Sequence, residues 1–285
     1  MKVEKPVISV TMGVLYKSEN IALLKRSVES MLAQSIKEIE FLICYKELSK
    51  AAQKYLLEIS KQDQRVILID GHRCNHLGGQ LNLCISKAKG EFIARMDDDD
   101  FSYPDRLKKQ LEFLKKRHEI QFVGCNVKLV CEGKEIGARE LPAYPGVKDF
   151  LFTQPYVHPT MMFRKTVLEK VGGYSDNKNQ EGCEDYDLFL RLYEQGLYGA
   201  NLGEMLLDYT IPLNEKNKRT MRWRLNEVKT RFARFKALGL LPRAVFYVVK
   251  PVAVGLVFLS ARGALNQYAC KKRGELNAEQ QFRDT

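Results

Sequence analysis

The apolar run Glu91-Phe92-Ile93-Ala94-Arg95-Met96 ends in four consecutive acids, Asp97-Asp98-Asp99-Asp100, and continues as Phe101-Ser102-Tyr103-Pro104-Asp105-Arg106-Leu107. Four like charges at a strand end repel one another, and a fold has little reason to keep them without a counter-ion. In an extended segment Asp97 and Asp99, two apart, share one face. Two hard oxygen ligands at one point suit Mg²⁺ or Mn²⁺ that completes its shell with phosphate oxygens. A solvated helix start competes with this reading: Ser102 as the cap, Pro104 in the first turn and Asp105 closing a capping box. It accounts for Ser102 and Asp105 but not for four carboxylates before them. An EF-hand is excluded, because its sixth position is Ser102 where Gly is needed and its twelfth is Lys108 where Glu is needed.

The chain of 285 residues has room for a full core, and one large domain plus an appendage is expected. Its 7 cysteines are scattered, with no Cys-x-x-Cys pair, which predicts reduced thiols in the cytosol and neither a disulfide framework nor a zinc site. Met1-Lys2-Val3-Glu4-Lys5-Pro6 lacks the apolar stretch of a signal peptide. The net charge of +11 is unevenly placed: residues 1–213 hold 30 basic and 30 acidic side chains, residues 214–285 hold 16 and 5. A basic appendage fits this distribution, and a body wrapped by nucleic acid does not.

Strand and helix patterns alternate through the first half. Pro6–Met12, Phe41–Cys44, Val66–Ile69, Glu91–Met96 and Phe122–Cys131 read as strands. Ile21, Leu24, Val28 and Met31 recur at helical spacing, as do Ala52, Leu56 and Ile59, then Leu81 to Ala88, then Leu107, Leu111 and Leu114. This order predicts βαβ units and a mostly parallel sheet flanked by helices, with ligands beyond the carboxyl ends of the strands. From about residue 132 turn formers interrupt the rhythm, and Glu184-Asp185-Tyr186-Asp187 opens a helix. In the tail, Met221, Leu225, Val228, Phe232 and Phe235 fall on one helical face among arginines and lysines, and a second apolar segment runs from Ala244 to Ala261. A helix packed on the body is one reading. A basic amphipathic helix on an anionic membrane face is the other, favoured because basic and apolar excess coincide.

Ile93–Asp100, Pro104-Asp105-Arg106-Leu107, His158-Pro159-Thr160-Met161-Met162-Phe163-Arg164, Gly172-Gly173-Tyr174 and Glu184–Leu188 together resemble the family 2 inverting glycosyltransferases of the GT-A fold, a Rossmann-like α/β architecture. The bacterial branch that builds capsule, exopolysaccharide and O-antigen is the most similar. The resemblance covers roughly residues 6–213, and implies a nucleotide-sugar-binding half at 1–131 and an acceptor and catalytic half at 132–213. It implies Asp97 and Asp99 as the metal pair, Mn²⁺ or Mg²⁺, with Asp100 as helper. Asp185 is implied as catalytic base, with Glu184 or Asp187 next in line, Asn82 as a nucleotide contact and His158 as a shaper of the donor pocket, or else a histidine holding the loop before Pro159. Lys46 stands where relatives carry the Asp that reads the base, so Glu47 or Asp70 is expected to substitute. The implied partners are a nucleotide-sugar, by analogy UDP-linked, and a glycan or polyprenyl-linked acceptor, with the enzyme peripheral on the cytoplasmic membrane face. A sugar-nucleotide pyrophosphorylase is the rival enzyme, but Gly13-Val14-Leu15-Tyr16 is not its Gly-rich phosphate loop. The non-enzymatic rival is a degenerate, nucleotide-binding protein of the same fold.

Overall fold

A computed structural model describes residues 5–175, 177, 180, 182–212 and 220–256. The first half is β1 (Ile8–Val14), α1 (Ala22–Leu32), β2 (Ile39–Tyr45), α2 (Lys50–Gln62), β3 (Val66–Asp70), α3 (Leu77–Lys87) and β4 (Phe92–Arg95). These four strands run parallel in the order β3-β2-β1-β4. There follow β5 (Phe101–Ser102), α4 (Arg106–Lys116), β6 (Phe122–Cys131), β7 (Lys134–Arg139), β8 (Met162–Arg164), α5 (Lys165–Lys170), α6 (Glu184–Glu194), β9 (Gly199–Thr210) and α7 (Met221–Ala237). The short β8 lies antiparallel between β4 and β6, β9 runs parallel to β6, and β5 and β7 pair antiparallel at the edges.

Period-2 alternation decides which side of the sheet each residue fills. In β2, Ile39, Phe41 and Ile43 enter the core shared with α1, α2 and α4. Leu42 and Cys44 of the same strand enter the opposite core, with α3, α6 and Phe122, Phe163 and Phe189. The six described cysteines are free thiols.

Three local expectations change. β4 stops at Arg95, and the chain bends at Asp98 and Asp99, so the four acids form a loop and the extended-strand spacing rule does not govern them. Ser102 caps no helix. It belongs to β5, where its backbone N–H donates to Ser30 Oγ and its hydroxyl accepts from Gln34. The helix after it begins at Arg106, and the Gln34 side chain accepts from the Leu107 N–H in place of a local cap. Third, α3 starts at Leu77, four residues before the apolar pattern does, because the His76 side chain caps it across Gly78 and Gly79.

The tail helix also differs from its expected form. Phe235 is fully buried, whereas Leu225 and Phe232 of the same predicted apolar face are about half exposed. The face of α7 that meets the body carries Asn226, Thr230, Arg231 and Phe235. Ala244 and Val248 join the same core. A face of mixed polarity packs here because its polar groups are paired. Arg231 donates to the Leu151 carbonyl (2.9 Å) and lies 4.7 Å from the Tyr186 ring centre, and Thr230 Oγ1 meets Cys183 Sγ at 3.4 Å. The end of the predicted segment Ala244–Ala261, and the stretch 214–219, lie outside the described residues.

Candidate active site

The acid loop is fixed from both sides. Ser27 Oγ on α1 donates to the Asp97 carbonyl (2.6 Å). At the end of β9, Thr210 Oγ1 donates to the Asp99 carbonyl (2.6 Å) and the Thr210 N–H to Asp100 Oδ1 (2.8 Å). Arg95, 1% exposed at the end of β4, forms an ion pair with Asp97. Burial works against its charge, but Asp97 holds the guanidinium above its usual range.

One cation does not neutralise four acids. Burial, then Asp99 and Asp97, pushes the Asp98 carboxyl up to about 8. Burial and the same neighbours drive Asp100 well above the usual carboxylate range, and its buried Oδ2 has no hydrogen-bond partner. Such under-compensated carboxylates fit a divalent cation. No group of three or more His, Cys, Asp or Glu arranged to hold a metal occurs among the described residues. The fit is therefore to a hard ion with few protein ligands that takes diphosphate oxygens for the rest of its shell.

Arg106, from Pro104-Asp105-Arg106-Leu107, is wholly buried and joins this loop to the next segment. It donates to the Pro159 carbonyl (2.6 Å) and to the Arg95 carbonyl (3.2 Å). Burial brings its guanidinium down to about 10. His158, one residue before Pro159, shares a 2.7 Å hydrogen bond with the Tyr174 hydroxyl. Burial, helped by Arg95, holds His158 well below its ordinary value, so the imidazole is neutral. Tyr174 is in turn held by Asn82, which donates to its carbonyl and accepts from its N–H, both at 2.8 Å. Both ends of the Asn82 amide are thus spent on this loop. Gly173 is required beside it, since φ is +67° and a Cβ would lie 2.4 Å from Asn82 Oδ1.

Asp185 sits in the first turn of α6. Its Oδ2 accepts from Gln154 Nε2 (2.9 Å) and its Oδ1 from the Tyr186 N–H (2.8 Å). Each carboxylate oxygen has a second acceptor site, so the group retains capacity for a proton. Asp187, one of two alternatives as a base, is fully buried and saturated by Arg191 (2.7 Å), Arg234 (2.9 Å) and Gln180 (2.7 Å). Burial raises Glu184, the other alternative.

A cleft of about 840 Å³ brings Arg95, Asp97, His158, Tyr174 and Asp185 together. A second cavity of about 430 Å³ adjoins it and shares Asp97 and residues 75–77. Lys46, Glu47 and Asp98 line this second space. Lys46 donates to the Cys74 carbonyl (2.8 Å), and Glu47 pairs with Lys17 (2.6 Å), which lowers its carboxyl. Asp70 points elsewhere, accepting from the His72 N–H (2.9 Å). Asn82, Asp99 and Asp100 line neither space. Sequence reasoning assigned no role to Arg95, Gln154 or Trp223, all of which line the large cleft. Only Arg95 left a legible signal, as a charge inside an apolar strand.

The profile of Glycosyl transferase family 2 matches residues 14–172, and the chain belongs to that family. It is a transferase on an α/β GT-A-like fold. EpsE of Bacillus subtilis strain 168, named as a glycosyltransferase, is 32% identical over 272 residues, 94% of each chain. The O-antigen biosynthesis glycosyltransferase WbnJ of Escherichia coli is 33% identical over 195 residues, covering 65% of this chain and 73% of WbnJ. Among solved structures, S. aureus TarS 1-349 in complex with UDP-GlcNAc superposes with a TM-score of 0.62 at 15% identity, covering 79% of this chain and 65% of that one. The mannosyltransferase PcManGT of Pyrobaculum calidifontis, in complex with GDP-Man and Mn²⁺, also gives 0.62, at 14% identity, over 93% of this chain and 81% of that one.

Proposed function

We propose that this chain moves a sugar from a nucleotide-sugar, UDP-linked by preference, to a hydroxyl of a glycan or polyprenyl-linked acceptor in surface-polysaccharide assembly, with inversion at the anomeric carbon. The observation that carries the reading is the under-neutralised acid loop at the meeting of the two cavities. Asp97 and Asp99 would hold Mn²⁺ or Mg²⁺, with Asp100 supporting the loop from beneath. When bound, the ion supplies positive charge to a diphosphate leaving group. Glu47 and Lys46 face the second cavity, where the nucleoside fits. Neutral His158, fixed by Tyr174, shapes the sugar end without adding charge. Asp185 takes the proton from the acceptor hydroxyl as that oxygen attacks, while Gln154 keeps the carboxylate aimed. Attack from the face opposite the leaving group gives inversion in one displacement. The name of WbnJ supports the biosynthetic setting, the ligands of TarS and PcManGT support the donor class, and the Mn²⁺ of PcManGT supports the ion.

A screen of UDP-, GDP- and dTDP-sugars, with Mn²⁺ and with EDTA, tests this by nucleotide release. Free UDP that depends on the metal is expected. Pyrophosphate as product would favour the nucleotidyltransferase, and equal UDP affinity with Mn²⁺ and EDTA would remove the metal from the site.

The membrane-facing surface of this reading lies on a second tail helix, described over residues 245–256. Phe246, Val249, Ala253 and Leu256, spaced 3, 4 and 3, are all exposed, Phe246 at 79% and Leu256 at 57%. Among the described residues no helix is long and apolar enough to cross a membrane. Peripheral attachment to an anionic cytoplasmic leaflet suits this stripe.

A further inference from the structure

The large cleft has a wall that belongs neither to the acid loop nor to α6. Trp223, the only tryptophan of the chain, lines it from the first turn of α7. Glu227 and Arg231, one and two turns further along, line the same wall, and Arg224 stands beside them. The indole packs on Gly182, three residues before Asp185. There φ is +82°, and a Cβ would come within 2.6 Å of the ring. Thr220 Oγ1 accepts from the Trp223 N–H (3.3 Å) and fixes the turn that carries the indole. Arg224 donates to the Pro251 carbonyl (3.0 Å), tying this wall to the second tail helix.

We infer that Trp223 is the stacking platform of the acceptor site, and that its ligand is a neutral pyranose of the acceptor glycan. This rests on the transferase reading above. The negative face of an aromatic ring attracts the C–H edge of a partner, and the C–H face of a pyranose offers such a surface. Hydroxyls around a sugar ring donate to acceptors, and Glu227 supplies one on this wall. Its charge is paired with the buried Arg231 at 2.9 Å, so its field is largely cancelled and suits an uncharged ligand. The acid loop lies in the same cleft, which leaves this wall for the second substrate. The basic tail therefore builds part of the active site.

The full chain is titrated with the methyl β-glycosides of glucose, galactose and N-acetylglucosamine, reading Trp223 emission, with glycerol as the control. At least one glycoside is expected to give a saturable change that glycerol does not. No saturable change with any of them overturns the inference. Saturation-transfer NMR then compares variants on the responsive glycoside. Trp223→Ala is expected to weaken binding about tenfold, and Trp223→Phe to restore most of it. Gly182→Ala, which takes the seat of the indole while leaving the side chain present, is expected to weaken binding as well. Unchanged binding in both Trp223→Ala and Gly182→Ala overturns the inference. Nucleotide release without glycoside binding sinks the platform and spares the transferase. Glycoside binding without nucleotide release from any donor sinks the transferase and spares the platform.

Discussion

Replacing Arg234 by Met distinguishes a tail built into the enzyme from a tail that only visits a membrane. Arg234 Nε donates to Asp187 (2.9 Å), and its Nη1 reaches Glu194 (3.0 Å). The Asp187 side chain is 0% exposed, while that of Arg234 is 23% exposed. Removing one partner of a buried ion pair costs about 3–5 kcal/mol when the remaining charge is left alone. Asp187 keeps Arg191 and Gln180, and Arg234 touches solvent, so about 2–3 kcal/mol is the expected loss. For a chain of this size that corresponds to a fall in melting temperature of about 3–5 °C. Thermal melts followed by near-ultraviolet circular dichroism measure it, and a cycle with Asp187→Asn isolates the pair, with a coupling of at least about 1 kcal/mol. Liposome flotation is run in parallel and should not change. A melting temperature within a degree of the parent, with reduced flotation, would refute the reasoning and make Arg234 a headgroup ligand.

Asp185→Asn should lower transfer by about two to four orders of magnitude with donor affinity unchanged by calorimetry; near-normal turnover moves the base to another group. His158 is held neutral, so below its unfolded value of about 6.5 the unfolded chain binds a proton that the native chain does not. The His158 contribution should therefore be lost as pH drops from about 7 to 5, against the opposite contribution of the raised Asp98 and Asp100 carboxyls, which hold protons that the unfolded chain releases. In urea titrations His158→Gln should gain stability relative to the parent across this window, and an unchanged difference assigns the effect to other groups. Phe246→Ser with Leu256→Ser should reduce flotation on anionic liposomes without moving the melting temperature, because both side chains are already in water. Equal flotation of variant and parent removes the stripe from the membrane surface.

The parallel half of the sheet was legible because strands buried on both faces read as apolar runs, and the helices between them keep their period. Phe122–Cys131 has the same bounds in sequence and structure. The bend at Asp98 was not legible, since it is imposed by Ser27 and Thr210, partners 70 and 111 positions from the carbonyls they hold. The packed face of α7 was misjudged for a related reason. Apolar periodicity points to Leu225 and Phe232, but the buried face is selected by paired polar groups whose partners lie on α6 and at Leu151. Asp185 was placed by motif. Its orienting partner, Gln154, has no pattern around it that pointed there, and Trp223 became visible only once the tail was seen against the cleft.

The two bonds from Thr210 to the acid loop have a consequence for synthesis of the chain. Translation proceeds at roughly 5–20 residues per second, so Thr210 follows Asp100 by about 5–20 s. During that interval β1 to β4 can pair on the ribosome, while the four carboxylates have neither their strap nor the β9 edge that buries Asp100. A nascent chain halted before residue 210 keeps these acids hydrated and is not expected to retain a nucleotide column. Ligand capture by chains arrested at successive lengths should therefore appear as a step after β9 emerges, which dates the assembly of the site to the emergence of that strand.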